Sequence, residues 1–208
     1  MKVLAAMSGG VDSSVAALLL RQQGHECIGC TMKLYDNRQA GLSSGRSCCT
    51  LEDVEDAQSV AYRLGMPYYV FNFKDAFAEK VMDKFVDSYR AGITPNPCID
   101  CNRYMKSEKL MERAKILGCQ YIATGHYARI EKQDGRWLLK KGLDEGKDQS
   151  YMLYTMTQEQ LAHTLFPLGG LRKEQVRRLA ESEGFVNAAK PDSQDICYVP
   201  DGDYAAMI

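Results

Sequence analysis

This sequence carries almost no excess charge. Its 26 lysines and arginines stand against 27 aspartates and glutamates, a net charge of −1 over 208 residues. No global field announces a nucleic-acid partner, so a polyanion would have to be met by local patches. No stretch approaches the roughly 18–20 apolar residues of a membrane span, so no membrane role is expected. The apolar run after Lys2 meets Ser8 and Asp12 too soon for a secretory signal, and the cytoplasm is the expected location. Internal repeats and low-complexity tracts are missing as well. Cysteine, by contrast, is abundant, with eight in the chain. Without a secretory signal a disulfide scaffold is not expected. Buried thiols, metal ligands and nucleophilic or redox chemistry remain.

Strand and helix patterns alternate along the first two-thirds. Val3 to Met7 is a continuous apolar run, as for a strand buried on both faces. Val11, Val15, Leu18 and Leu19 then share a helical face that stops at Gly24. Cys27–Met32 and Tyr68–Phe73 read as further strands, with a helix from Glu52 to Leu64 between them. Gly41 to Gly45 belongs to a loop. Phe77, Val81 and Phe85 mark the inner face of another helix. Pro95 and Pro97 break the helical pattern, a helix resumes to about Leu117, and the strand Tyr121–Thr124 ends at Gly125-His126. Such β–α units predict an α/β fold, an open parallel sheet with helices on both faces, whose ligands bind at the carboxyl ends of the strands. Beyond His126 the spacing predicts a hairpin turning at Asp134-Gly135 and short helices near Gln158–His163 and Arg172–Glu183.

Ser8-Gly9-Gly10-Val11-Asp12-Ser13-Ser14 joins the first strand to its helix. Free backbone N–H groups at a helix start, two glycines and three hydroxyls make a phosphate cradle. The lysine and spacing of a Walker loop are missing, as is the dinucleotide Gly-x-Gly-x-x-Gly. Asp12 would repel phosphate unless it binds magnesium or caps the helix. A glycine-rich cap with no ligand is the plainer reading. The second motif, TPNPCIDCNRYMK, presents Cys98 and Cys101 near a helix start, where a thiol ionises more readily and the thiolate is the nucleophile. KDQSYMLY and SQDICYVP, with Cys197, follow downstream.

These motifs, with Thr-Gly-His-Tyr and in this order, resemble the tRNA-specific 2-thiouridylases of the ATP pyrophosphatase (PP-loop) superfamily, over essentially the whole chain. The resemblance implies an ATP- and Mg²⁺-dependent sulfurtransferase that adenylylates the C2 oxygen of the wobble uridine in tRNA and replaces it with persulfide sulfur. It implies that Ala6, Met7, Ser8, Gly9, Gly10, Val11, Asp12 and Ser13, with Met32 and Gly125, hold ATP. Cys101 would be the nucleophile and Cys197 the persulfide carrier, with a disulfide between them to be reduced afterwards. Asn96, Pro97 and Cys98 would meet the target base, and Lys147, Asp148 and Gln149 the tRNA. A persulfide-donating sulfur carrier or cysteine desulfurase is the implied partner.

The resemblance also implies a catalytic domain over 1–161, a small helical unit over 162–189, and a return of 190–208 to the catalytic domain. The family's C-terminal β-barrel has no counterpart, and a chain truncated at Ile208 is expected. Cys98 stands where the family often has Asp, and Ser107 where an aromatic is expected. The added thiol raises an iron–sulfur cluster on Cys98, Cys101 and Cys197. Cys27-x-x-Cys30 has zinc-knuckle spacing, but its two side chains leave a strand on opposite faces. Cys48-Cys49 could pair with a Cys-x-x-Cys, though adjacent ligands suit one tetrahedral site poorly. Cys119 reads as a core thiol, His25 and His163 as incidental, and His126 as either a structural histidine or a nucleotide contact. Arg172, Lys173, Arg177 and Arg178 form a basic cluster, either a solvated face or a phosphate-backbone contact. The rival readings are another adenylylating ligase or amidotransferase acting on a small acid, and a thiol-rich metal- or RNA-binding module.

Overall fold

The computed structural model describes residues 1–35, 51–192, 196–199 and 204. The glycine-rich loop and Cys48-Cys49 lie outside the described residues. The first strand, β1 (Lys2–Ala6), is central: it pairs in parallel with β2 (Glu26–Lys33) on one side and with β4 (Tyr121–Ala123) on the other. β3 (Tyr68–Asn72) extends the sheet beyond β2, and β7 (Thr164–Leu165) beyond β4. The order β3-β2-β1-β4-β7, parallel throughout, is the open α/β sheet expected from the alternating pattern.

Both faces are covered, which is why β1 reads as an unbroken apolar run. On one face α1 (Val11–Gln22), α2 (Leu51–Arg63) and α8 (Lys173–Ser182) bury Val15, Ala57, Val60, Val176 and Ala180 against Val3 and Ala5. On the other, Leu110 and Ala114 of α6 (Leu110–Ile116) meet Leu4, Ile28 and Cys30. Cys27 and Cys30 thus belong to opposite faces of the sheet. Burial pushes both thiols above their ordinary values, as expected of inert core cysteines.

A third cluster forms around the helical run of α3 (Lys74–Phe77) and α4 (Asp83–Arg90), joined through the wide turns of Ala78–Met82. Phe77, Val81 and Phe85 face inward there as their spacing predicts, against Tyr35 and Tyr198. The helix after the double proline begins as α5 (Pro97–Asp100) and runs through a π-helical stretch, Cys101–Lys109, into α6. The hairpin β5 (Ala128–Gln133) and β6 (Arg136–Lys141) turns at Asp134 and Gly135, with φ of 50° and 79°. Positive φ at both positions is what a tight right-twisted hairpin requires.

Elements of the stretch 162–189 touch the main sheet and its core. β7 adds a strand to the main sheet, and α8 packs on α1 within the core. Two residues of strand carry no periodicity, and the apolar stripe of α8 is completed only by the sheet-facing helices. α7 (Gln158–Ala162), closed by a Thr157–Gln160 capping box, leads directly into β7. Asn187 is buried against Gly9 and Ser14, and Tyr198 and Val199 enter the third cluster. Among the described residues no helix is long and apolar enough to cross a membrane.

Candidate active site

The loop between β1 and α1 is built to leave backbone donors open. The first N–H groups of α1 have no acceptor within the helix, and Gly10 at its cap supplies no side chain. The hydroxyls of Ser13 and Ser14 turn back to the Gly10 carbonyl, at 2.9 and 3.1 Å, and Ser13 Oγ accepts from the Ser8 N–H at 3.1 Å. Gly9 sits at φ 80°, and any Cβ there would strike the Asp53 backbone of α2. A Cβ on Gly125 would come within 2.9 Å of Asp12 C and Ser13 N. Gly125 therefore lets the end of β4 close against the start of α1. A cradle of free N–H groups at a helix N-terminus suits phosphate. The donor set fits the phosphates of a nucleotide.

Asp12 does not present a bare negative charge to that cradle. Lys173 Nζ donates to both of its carboxylate oxygens, at 2.7 and 2.8 Å, and the Tyr127 hydroxyl donates at 2.9 Å. Asp12 is not the helix cap, which is Gly10; Lys173 is its cation in this arrangement. Lys173 also pairs with Asp192 at 2.7 Å, and Asp192 receives Arg177 at 3.0 Å and Lys147 at 2.8 Å. Burial alone would raise the Asp192 carboxyl, but the hydrogen bonds from Lys147 and Lys173 outweigh it and hold it below its ordinary value. Two members of the basic cluster are turned inward: Lys173 is 8% exposed, and Arg177 is spent on Asp192 and on the carbonyls of Ala188 and Lys190, while Arg172 and Arg178 are exposed.

A cavity of about 360 Å³ opens at the carboxyl ends of β1, β2 and β4. Ala6, Met7, Ser8, Asp12 and Ser13 line one side, with Met32 and Gly125 beside them. Pro97, Cys98 and Cys101 line the opposite side, and Cys197 reaches the same space from the returning tail. The two thiols that the sequence separates by nearly half the chain thus meet one cavity that also contains the loop. Val11 is different: its side chain is core, 3% exposed, so only its backbone faces the cradle. Asn96 also works at one remove. Its side chain caps α5 by accepting the Cys98 N–H at 3.1 Å, with Pro97 at the first helical position.

Lys147, Asp148 and Gln149 are all engaged within the chain. Besides the Lys147–Asp192 pair, Asp148 accepts from the Gly142 N–H and the Ser150 hydroxyl, each at 2.9 Å. Gln149 Oε1 accepts the Tyr127 N–H at 3.1 Å and lines the cavity. Cys98, Cys101 and Cys197 are each half-buried on the cavity wall, yet among the described residues no three histidine, cysteine or acidic side chains are gathered closely enough to hold a metal.

Several residues of the site had weak signals in the sequence or none. His126 is both structural and a cavity residue. Its ring lies 2.6 Å from Thr124 Oγ1 through Nδ1 and 3.3 Å from Lys106 Nζ through Nε2. An ammonium can only donate, so Nε2 accepts and Nδ1 carries the proton to Thr124. Burial first, then Lys106, hold the imidazole well below its ordinary range, so it stays neutral. Lys106 itself lines the cavity. Tyr198 is 2% exposed, edge-on to Phe77 and Phe85 at 5.5 and 5.7 Å, and among the described residues its hydroxyl has no hydrogen-bond partner. Lys173 had a legible clue: with Val176 and Ala180 it shares the buried stripe of α8.

Comparison with known proteins agrees with this geometry. Residues 1–201 match the family described as tRNA methyl transferase HUP domain. The chain is 55% identical to a protein of Symbiobacterium thermophilum and 53% identical to one of Clostridioides difficile, each named tRNA-specific 2-thiouridylase MnmA. These alignments cover all of this chain but 55% and 58% of those proteins, so it spans somewhat over half of their length. A solved 4-thiouridine synthetase, in a complex with RNA and bound ATP, superposes with a TM-score of 0.61 at 17% identity, covering 96% of this chain and 45% of that one. An NMN synthetase from Francisella tularensis superposes at 0.52 with 19% identity, over 92% and 65% of the two chains. These two likenesses support the fold alone. The match over residues 1–201 and the identity along the whole chain show that it belongs to the tRNA methyl transferase HUP domain family, among relatives that carry the name tRNA-specific 2-thiouridylase.

Proposed function

We propose that this chain forms the catalytic part of an ATP-dependent tRNA-uridine 2-sulfurtransferase. The observation that carries the reading is the shared cavity: the phosphate cradle, Cys101 and Cys197 all line it. Bound there with magnesium, ATP would supply the adenylyl group that makes the uridine C2 oxygen a leaving group. The chain's part is to hold and to deliver. The open N–H groups of α1 bind the departing pyrophosphate, and Met32 and Gly125 bound the nucleotide's place at the strand ends. Asn96, Pro97 and Cys98 form the rim facing the base, and the 147–149 turn faces the rest of the tRNA.

Cys197 carries the persulfide, loaded by a sulfur carrier or a cysteine desulfurase. Attack by the Cys101 thiolate on Cys197 Sγ releases hydrosulfide and joins the two cysteines. The hydrosulfide adds at C2, and the oxygen leaves within AMP. Alternatively the terminal sulfur of Cys197 adds first and Cys101 then releases it. Either order ends in a Cys101–Cys197 disulfide that an external thiol must reduce. An iron–sulfur cluster on Cys98, Cys101 and Cys197 forms no part of this route.

The test is to incubate the full chain with ATP, magnesium, a persulfide source and unmodified tRNA, and to follow pyrophosphate and thiolated uridine. Cys197→Ser should release pyrophosphate and form no thiouridine. Equal loss of both steps would refute the division of labour. Pyrophosphate release with a small acid but not with tRNA would point to a ligase.

A further inference from the structure

Among the described residues the cavity is lined by one lysine with no carboxylate partner. Among its described lining residues Lys106 is the sole lysine or arginine. No carboxylate among the described residues pairs with it; its one hydrogen-bonding partner is the neutral His126 ring, at 3.3 Å. Other lysines near the cradle are treated differently: Lys173 is matched by Asp12 and Asp192, and Lys190 by Asp53 and Asp56. Among the described residues the half-buried Lys106 ammonium meets a neutral acceptor and no counter-ion. Such a group is complete only when an anion arrives.

Its position says which anion. Lys106 and Cys101 lie in the same π-helical stretch, Cys101–Lys109. In an α-helix, side chains five apart diverge by about 140°. With i→i+5 bonding the turn is wider, and both residues face the cavity. On its other side Lys106 is tied through His126 to the end of β4, where Gly125 touches the start of α1. The ammonium therefore stands between the cysteine loop and the phosphate cradle.

We infer that Lys106 is a further catalytic residue, which neutralises the phosphoryl group during its transfer from ATP to the uridine oxygen. The inference rests on the proposed sulfurtransferase reading. In the step, the C2 oxygen forms a bond to the α-phosphorus as the bond to pyrophosphate breaks. Lys106 bonds the non-bridging oxygens of that phosphorus and moves no proton. His126 is the positioning residue behind it.

The experiment uses the full chain and the variants Lys106→Met, Lys106→Gln and Lys106→Arg, each checked by its melting temperature. Single-turnover pyrophosphate release with saturating tRNA should fall by about 100-fold or more in the Met and Gln variants. Affinity for ATP alone should change by less than about threefold, since the interaction belongs to the transition state. Arg should recover part of the rate. Alkylation of Cys101 by iodoacetamide without ATP, followed by peptide mass spectrometry across pH, should be unchanged. Normal pyrophosphate release in the Met and Gln variants would overturn the inference. A shifted Cys101 alkylation profile with intact pyrophosphate release would overturn it too, and would assign the charge to sulfur instead. No pyrophosphate from the unaltered protein with tRNA would overturn the functional reading itself.

Discussion

Lys173, from α8, reaches both carboxylate oxygens of Asp12, in the loop after β1, at 2.7 and 2.8 Å across a sequence separation of 161. The pair lets an acidic residue sit inside a phosphate cradle. It also ties the cradle to Asp192, and so to the segment that leads to Cys197.

Removing that lysine should expose what it conceals. Lys173→Met leaves the Asp12 and Asp192 carboxylates without their shared cation in a mostly buried place. A loss of about 3 kcal/mol of stability is expected, read by urea denaturation. ATP affinity, read by titration, should fall with it. Asp12→Asn combined with Lys173→Met should regain part of both, because the uncompensated charge at the cradle is then gone.

Gly125→Ala tests the close approach of β4 to α1. The added methyl meets backbone, which cannot swing aside as a side chain can. The expected cost is about 1–3 kcal/mol together with weaker ATP binding. Gly170→Ala, where a Cβ meets nothing within 4 Å, is the control and should leave the melting temperature unchanged.

His126 predicts a pH dependence. Its folded-state pKa lies well below 6.5, so between that lowered value and 6.5 the unfolded chain binds the extra proton. Stability contributed by the neutral ring is then complete above about 6.5 and declines as pH falls, by at most about 1.4 kcal/mol per unit. Denaturation midpoints measured between about pH 7 and 5 should show this slope, and His126→Gln should remove it. An unchanged slope in the variant would place the titration elsewhere.

Tyr198→Phe removes only a hydroxyl that is buried and without a partner, and keeps the ring's edge contacts with Phe77 and Phe85. The melting temperature should hold or rise, by up to the equivalent of about 1–2 kcal/mol. Thiolation should be unaffected. A marked loss of stability would mean that the hydroxyl has a partner after all.

The sheet was legible in the sequence because its strands are short apolar runs bounded by glycines, and its helices carry stripes such as Val54, Ala57, Ala61 and Leu64. The loop at Ser8–Ser14 and the cysteine motifs led to one cavity. Less could be read where tertiary contacts alone decide. Thr164 and Leu165 are too few to show a strand's period. Lys173 looked like one of four basic surface residues, yet its place beside Val176 and Ala180 on one helical face puts it indoors. His126 and Lys106 are twenty residues apart, and only the meeting of β4 with the cysteine helix makes them neighbours.

The stretch 187–192 closes over the beginning of the protein. Asn187 donates to the Gly9 carbonyl at 2.8 Å and to Ser14 Oγ at 2.9 Å, Lys190 grips Asp53 and Asp56 on α2, and Asp192 completes the Lys173 pair. During synthesis the cradle leaves the ribosome early, but Asn187 follows Gly9 by 178 residues. A nascent chain therefore carries a nucleotide loop that is unbraced until nearly all of this sequence has emerged, and long-range closures of this kind form late. Competence to take up ATP should arrive in one step, once residues 187–192 have emerged and closed on the cradle.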